Sequence, residues 1–417
     1  MIDWYILLFI GFFVLILFIE KIGAHRSIHE YMVTSRELGL SAGTYGISLQ
    51  FISGVTVAVP ILSMQAFQLT TFPILIICTY GLYLLLNNIM TKEKVKQVTD
   101  AKGNSHLWFF AFSSMASLFV QFTILAYFLL DVLSVGGIAI FISFCFVFFG
   151  LGGSYGVRKI GSTIFYAIFL VGVIVTLFLY LGEGVQTIYT KYQGEMFSGN
   201  IADVIFASMT FVLVVFGQAC TNLTFWQTAS AVKSNHRVTV LRLSTFIWFA
   251  FMLSIFSFSF FLFVQNQAVE QMNQVIIHII IFIVLGALAI GIGTSLFSLI
   301  SVFLKIKSRD RTNHYAYRLL RHGYLIGVIA CSVLGLLAIF LSESMSAWLP
   351  FFLGFFGAAG CPFIIGRTFR AKNVTLIMVV MTLVSIGLTI WMEEIWLVAP
   401  IAALICCFVL FILEKYK

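Results

Sequence analysis

The residues best suited to bind a small molecule in this 417-residue chain are amides and hydroxyls set inside long apolar runs: Gln50, Ser53, Gln121, Gln218 and Asn222, with Trp226 as an aromatic neighbour. An amide in hydrocarbon is expensive unless it meets a solute, a water or another helix. Because it both donates and accepts without net charge, the set suits a neutral or zwitterionic polar solute. No charged side chain stands at mid-membrane depth to hold a carboxylate or an amine, so backbone dipoles and amides must supply recognition. Gln218 and Asn222 are four residues apart, which on a continuous helix puts them on one face, beside a break expected at Gly217. Interhelical hydrogen bonds are the competing use of every one of these groups.

Other chemistries find no support. The chain has no phosphate-binding glycine loop, no His-rich metal helix and no serine nucleophile elbow. His278 is the one histidine well inside an apolar run, has no evident acidic partner, and reads as a hydrogen-bonded structural residue. The seven cysteines all lie in apolar runs without a CxxC pair, so they read as packing residues. An enzyme is not expected, nor is an organic cofactor.

The elements that must position the amides are membrane helices. With 61% hydrophobic and 10% charged residues, the composition excludes a soluble domain. At about 20 residues per crossing, the apolar runs predict thirteen spans: 2–22, 40–68, 72–90, 106–134, 136–153, 161–184, 204–231, 241–265, 275–304, 323–342, 347–366, 373–391 and 394–413. The first begins near Asp3 without a basic leader or a small-residue cleavage site, so it reads as a retained helix. Of the 24 lysines and arginines, all but Lys191 fall in alternate gaps. Basic residues stay on the cytoplasmic side of short loops, which predicts an external N-terminus, an internal C-terminus and a multi-pass protein of the cytoplasmic membrane. Scattered over separate loops, the cations make no nucleic-acid surface; the expected partners are the lipid bilayer and a small-molecule solute, and no protein partner is indicated.

Setting aside an N-terminal helix and loop (1–39) and two C-terminal helices (367–417) leaves two sets of five spans, 40–184 and 204–366, joined by an external connector, 185–203. Five is odd, so the sets have opposite orientations. Each has an especially long third helix, 106–134 and 275–304, and a first helix rich in glycine and small polar residues. Inverted repeats with first helices interrupted at mid-membrane are an architecture of secondary transporters.

Four stretches resemble the sodium:solute symporter family. Arg36-Glu37-Leu38-Gly39 precedes Ser53-Gly54 at the spacing of the family's proline transporters. Gly156-Val157-Arg158 followed by Thr163 is similar to the family's entry into its fifth core helix. Phe216-Gly217-Gln218, and then Gln227 to Lys233, are similar to the start and exit of its second repeat. The resemblance implies a leucine-transporter-type inverted-repeat fold, all-α, and sodium-driven uptake of amino acids, sugars or carboxylates by alternating access.

The chain departs from the family where sodium should bind. Ile290 and Gly291 stand at the family's Ser-Thr pair, Gly293 at its next acidic position and Ile164 at its Asp. Carbonyls of Leu49, Ile52 and Ala287 remain as candidate ligands, with Thr294 or Ser295 as substitutes if the register moves by one turn. Loss of the hydroxyls and carboxylate points away from a family-type sodium site. It also opens a second reading, a transport-incompetent sensor or accessory subunit.

Overall fold

The computed structural model describes residues 28–32, 38–90, 104–130, 134–192, 200–265, 274–308, 316–342, 345–365, 371–392 and 394–415, with the single residues Gly11, Val95 and Val98. The expected span 2–22, and Arg36 and Glu37 of the first motif, lie outside the described residues. In chain order the helices are α1 (Ile28–Met32), α2 (Leu40–Ser48), α3 (Gly54–Phe67), α4 (Thr71–Ile89), α5 (Asn104–Leu129), α6 (Val135–Cys145), α7 (Gly153–Glu183), α8 (Val185–Lys191) and α9 (Ile201–Cys220). They continue with α10 (Leu223–Ala231), α11 (Arg237–Gln265), α12 (Gln274–Ser308), α13 (Ala316–Leu341), α14 (Met345–Ala359), α15 (Cys361–Ile365), α16 (Ala371–Trp391) and α17 (Ile395–Lys415).

Among the described residues, eight helical stretches are long and apolar enough to cross a membrane. Three shorter apolar helices, Val135–Leu151, Trp348–Ile364 and Leu376–Trp391, fall on the expected spans 136–153, 347–366 and 373–391. At the centre is α12, packed on α5, α7 and α13. Every residue from 285 to 302 is buried, as expected of a helix that is apolar all round.

The second span, 40–68, is two helices. Between α2 and α3 the chain makes one 3-10 turn, Leu49–Phe51, and then runs extended through Ile52 and Ser53. Ser53 caps α3, its Oγ accepting from Thr56 N at 3.4 Å. The seventh span is also two helices, α9 and α10, and Asn222 caps the second by accepting from Thr224 N at 2.9 Å.

This second break corrects the expectation that it lies at Gly217. Helix α9 runs through Gly217 and ends at Cys220. The glycine serves a helix crossing instead: a β-carbon there would stand 1.8 Å from the carbonyl oxygen of Phe356 on α14. Gln218 therefore sits on α9 while Asn222 lies beyond its end, and the two do not share one helix face.

Two observations give the relative directions of these helices. Leu38, just before α2, pairs with Val232, just after α10, through Leu38 N to Ala231 O at 2.7 Å and Lys233 N to Leu38 O at 3.3 Å. The start of one broken helix and the end of the other thus lie at the same end of the bundle. On the long third helices, Ser114 meets Ser298 and Ser117 meets Ser295, while Gln121 lies against Gly291. Each step up α5 is matched by an equal step down α12, the register of an antiparallel pair.

Candidate functional site

A helix start leaves backbone N–H groups without intrahelical partners, and burying them requires acceptors. At the first break Gln121 supplies one, its Oε1 accepting from Gly54 N at 2.8 Å from across the bundle on α5. Gly54 is held so closely that a β-carbon would lie 2.5 Å from Leu288 Cδ2. At the second break Ser298 on α12 accepts from Leu223 N at 2.9 Å, and Thr224 donates to the Thr294 carbonyl at 3.2 Å. The long helices α5 and α12 therefore cap one break each.

Side chains then join the breaks. Ser53 Oγ donates to Gln218 Oε1 at 3.4 Å, and Gln218 Nε2 donates to Ser117 Oγ at 3.3 Å. Ser117 and Ser114 bond Ser295 and Ser298 at 2.8 Å each. Gln218 is half-buried, whereas Gln121 is fully enclosed. Gln50 donates Nε2 to the Gly46 carbonyl at 3.3 Å, and its buried Oε1 has no partner among the described residues. The same is true of Gln121 Nε2. No side chain bonded into this network is charged. The ends of α2 and α9 bring carbonyls to the gap and the starts of α3 and α10 bring N–H groups, so the dipoles offer both signs at short range.

Trp226 has a bracing role. Its indole N–H donates to the Cys220 carbonyl at 2.6 Å, satisfying the end of α9, and its ring stacks on Phe363 with centroids 5.2 Å apart. Asn222 spends its Oδ1 on the α10 cap.

Three of the candidate cation ligands, Thr294, Ser295 and the Leu49 carbonyl, already have hydrogen-bond partners. Gly291, rather than Thr294 or Ser295, faces the first break: a β-carbon at 291 would lie 3.1 Å from Ser53 Cβ and 2.9 Å from Gln121 Oε1. Thr294 is one turn further along and donates to the Gly291 carbonyl at 3.2 Å, while Ser295 is bonded to Ser117. The Leu49 carbonyl accepts from Ile52 N at 3.4 Å, and Ala287 and Ile290 are fully buried. Ile164 is buried beside Gly286.

Sequence reasoning singled out the amides, named Ser295 only as a candidate cation ligand, and missed Ser114, Ser117 and Ser298, which bond around them. Ser114, Ser117, Ser295 and Ser298 carry a signal in hindsight, a Ser-x-x-Ser on each long third helix that matches in reverse order.

At the paired end, α2 and α10 pack through glycines. A β-carbon at Gly43 would stand 2.9 Å from Val232 Cγ2, and one at Gly46 would stand 2.8 Å from Thr228 Cγ2. With Leu38 bonded to the strand-like exit of α10, this forms a closed seam.

No protein-family model matches the chain, and no curated protein sequence matches it. Among solved structures, a sodium-coupled sialic acid symporter in its substrate-bound, outward-open state aligns with 100% of this chain and 98% of its own, at a TM-score of 0.75 and 14% identity. The inward-facing conformation of Mhp1 aligns over 91% of this chain and 92% of its own, with 15% identity and a TM-score of 0.38, too low to support a comparison. What the first alignment shares with this chain from end to end is the fold, that of the leucine-transporter type.

Proposed function

We propose that the chain is a secondary transporter, moving a small polar organic solute across the cytoplasmic membrane by alternating access. The carrying observation is the pair of helix breaks, bridged by Ser53 and Gln218 and capped by the antiparallel helices α5 and α12. In this reading the repeats are 40–184 and 204–366, and thirteen spans place the N-terminus outside and the C-terminus inside. The solute lies between the breaks, where Gln50, Gln218 and Asn222 offer amides and the helix ends offer dipoles. Its recognition without charged side chains favours a neutral or zwitterionic compound. The sialic acid symporter of the same fold makes sugars and sugar acids part of the panel to try.

The broken helices rock against the scaffold of α5 and α12. The seam from Leu38 to Val232 is the inner gate, because Lys233, Arg237 and Arg242 follow it and mark the cytoplasmic side. Coupling to sodium is weak or absent in this reading, since Gln121 presses on Gly291 in the place where the resembled family sets a hydroxyl toward the ion. Purified protein in proteoliposomes, offered amino acids, sugars and organic acids, should show saturable uptake of at least one class. Binding of a solute without its accumulation or exchange would instead support a sensor.

A further inference from the structure

Away from the breaks, a cavity of about 20 Å³ lies at the inner end of the bundle, lined by Ser154 and Arg158 of α7, Thr224, Gln227 and Thr228 of α10, and Phe297 of α12 among others. Its polar groups are only partly used. Gln227 is 5% exposed, and neither its Oε1 nor its Nε2 has a partner among the described residues. Ser154 is 8% exposed, and its Oγ is likewise unpartnered. Arg158 donates Nε to the Ser154 carbonyl at 3.3 Å, and among the described residues no carboxylate pairs with it.

Size and charge together select the occupant. A cavity needs roughly 10 to 15 Å³ to hold a water, so this one, at about 20 Å³, suits a single water or a single monatomic ion. A half-buried cation with no counter-charge among the described residues favours an anion over a water, because desolvated charge is costly until it is neutralised. The first turn of α7 also lines the space and adds the positive end of a 31-residue helix. Gln227 Nε2 and the Ser154 hydroxyl can donate, as the guanidinium can. We propose that this cavity binds one small halide, chloride in the cell, held by Arg158, Gln227 and Ser154. The inference stands apart from the identity of the transported solute.

The test is thermal unfolding of the purified full chain in sodium chloride against sodium gluconate at equal ionic strength, gluconate being too large to enter. A ligand that binds only the folded state raises the melting temperature saturably, so chloride and bromide should each raise it by several degrees. The response should be lost in Arg158→Gln and in Gln227→Leu and kept in Arg158→Lys. If one variant does not fold, the other still reads the site, and bromide-soaked crystals should show an anomalous peak beside Arg158. Equal melting curves in chloride and gluconate, or an unchanged chloride response in either neutral variant, would overturn the proposal.

Discussion

Gln121 and Gly291 face each other across the antiparallel pair α5 and α12, and the amide occupies the room that glycine leaves. A β-carbon at 291 would stand 2.9 Å from Gln121 Oε1 and 3.0 Å from its Cδ. The same oxygen accepts from Gly54 N at 2.8 Å, so one side chain fills the space between scaffold and break and caps a helix start. A side chain at 291 and the glutamine at 121 compete for one volume.

Gly291→Ser should therefore destabilise the protein by about 1 to 3 kcal/mol, the usual cost of overpacking a close-fitted core. Gln121→Ala removes the obstacle at the expense of leaving Gly54 N unpaired, itself worth roughly 1 to 3 kcal/mol. Because the two sites touch, the double variant should be less destabilised than the sum of the singles. Melting curves of the three variants decide it, and strictly additive costs would show that 121 and 291 do not share the space.

In the proposed reading, solute contact is separable from helix capping at the second break. Gln50→Ala and Asn222→Ala should each weaken solute affinity by about 5-fold to 150-fold, corresponding to roughly 1 to 3 kcal/mol for an unpaired polar contact. Asn222 also caps α10. A serine retains a capping oxygen, so Asn222→Ser should recover stability without recovering affinity. Affinity restored by serine would reduce Asn222 to a structural cap.

The fold was legible because apolar runs of membrane length leave little choice of structure, and the ends of α4, α11 and α17 fall within a few residues of the expected spans. The first break was legible too, since Ser53-Gly54 combines a capping hydroxyl with a residue that tolerates Leu288 at close range. At the second break the same type of clue misled. Glycine permits a break and also permits a crossing, and sequence does not say which neighbour arrives; here Phe356 does. The serine pairs between α5 and α12 were hidden for a related reason. Each helix shows its own spacing, but the antiparallel register that makes Ser114 meet Ser298 exists only in three dimensions.

Sodium should matter little. A cation leaving water needs most of its oxygen shell replaced, and Ile164, Ile290 and Gly291 bring no side-chain oxygen to the gap. Ser295 is committed to Ser117 and Thr294 to the Gly291 carbonyl. Solute binding or uptake should change by less than about 5-fold when potassium or choline replaces sodium, a coupling under roughly 1 kcal/mol. A steep, saturable sodium dependence in purified protein would show that backbone carbonyls rebuild a site.

The seam offers the most direct test of alternating access. If α2 and α10 part to release solute at the end marked by Leu38 and Val232, a covalent tie there must stop turnover while leaving outward binding intact. The γ-carbons of Val232 would lie 2.9 and 3.6 Å from a β-carbon at position 43, close to the approach a disulfide requires. In a background without the native cysteines, the pair Gly43→Cys and Val232→Cys should cross-link under mild oxidation. Uptake into proteoliposomes should then fall to background and return on reduction, with solute affinity from the outer side retained within about 5-fold, a difference of under roughly 1 kcal/mol. Undiminished uptake by the fully cross-linked protein would place the moving gate elsewhere, and would leave the closely packed glycines of α2 as part of the rigid frame.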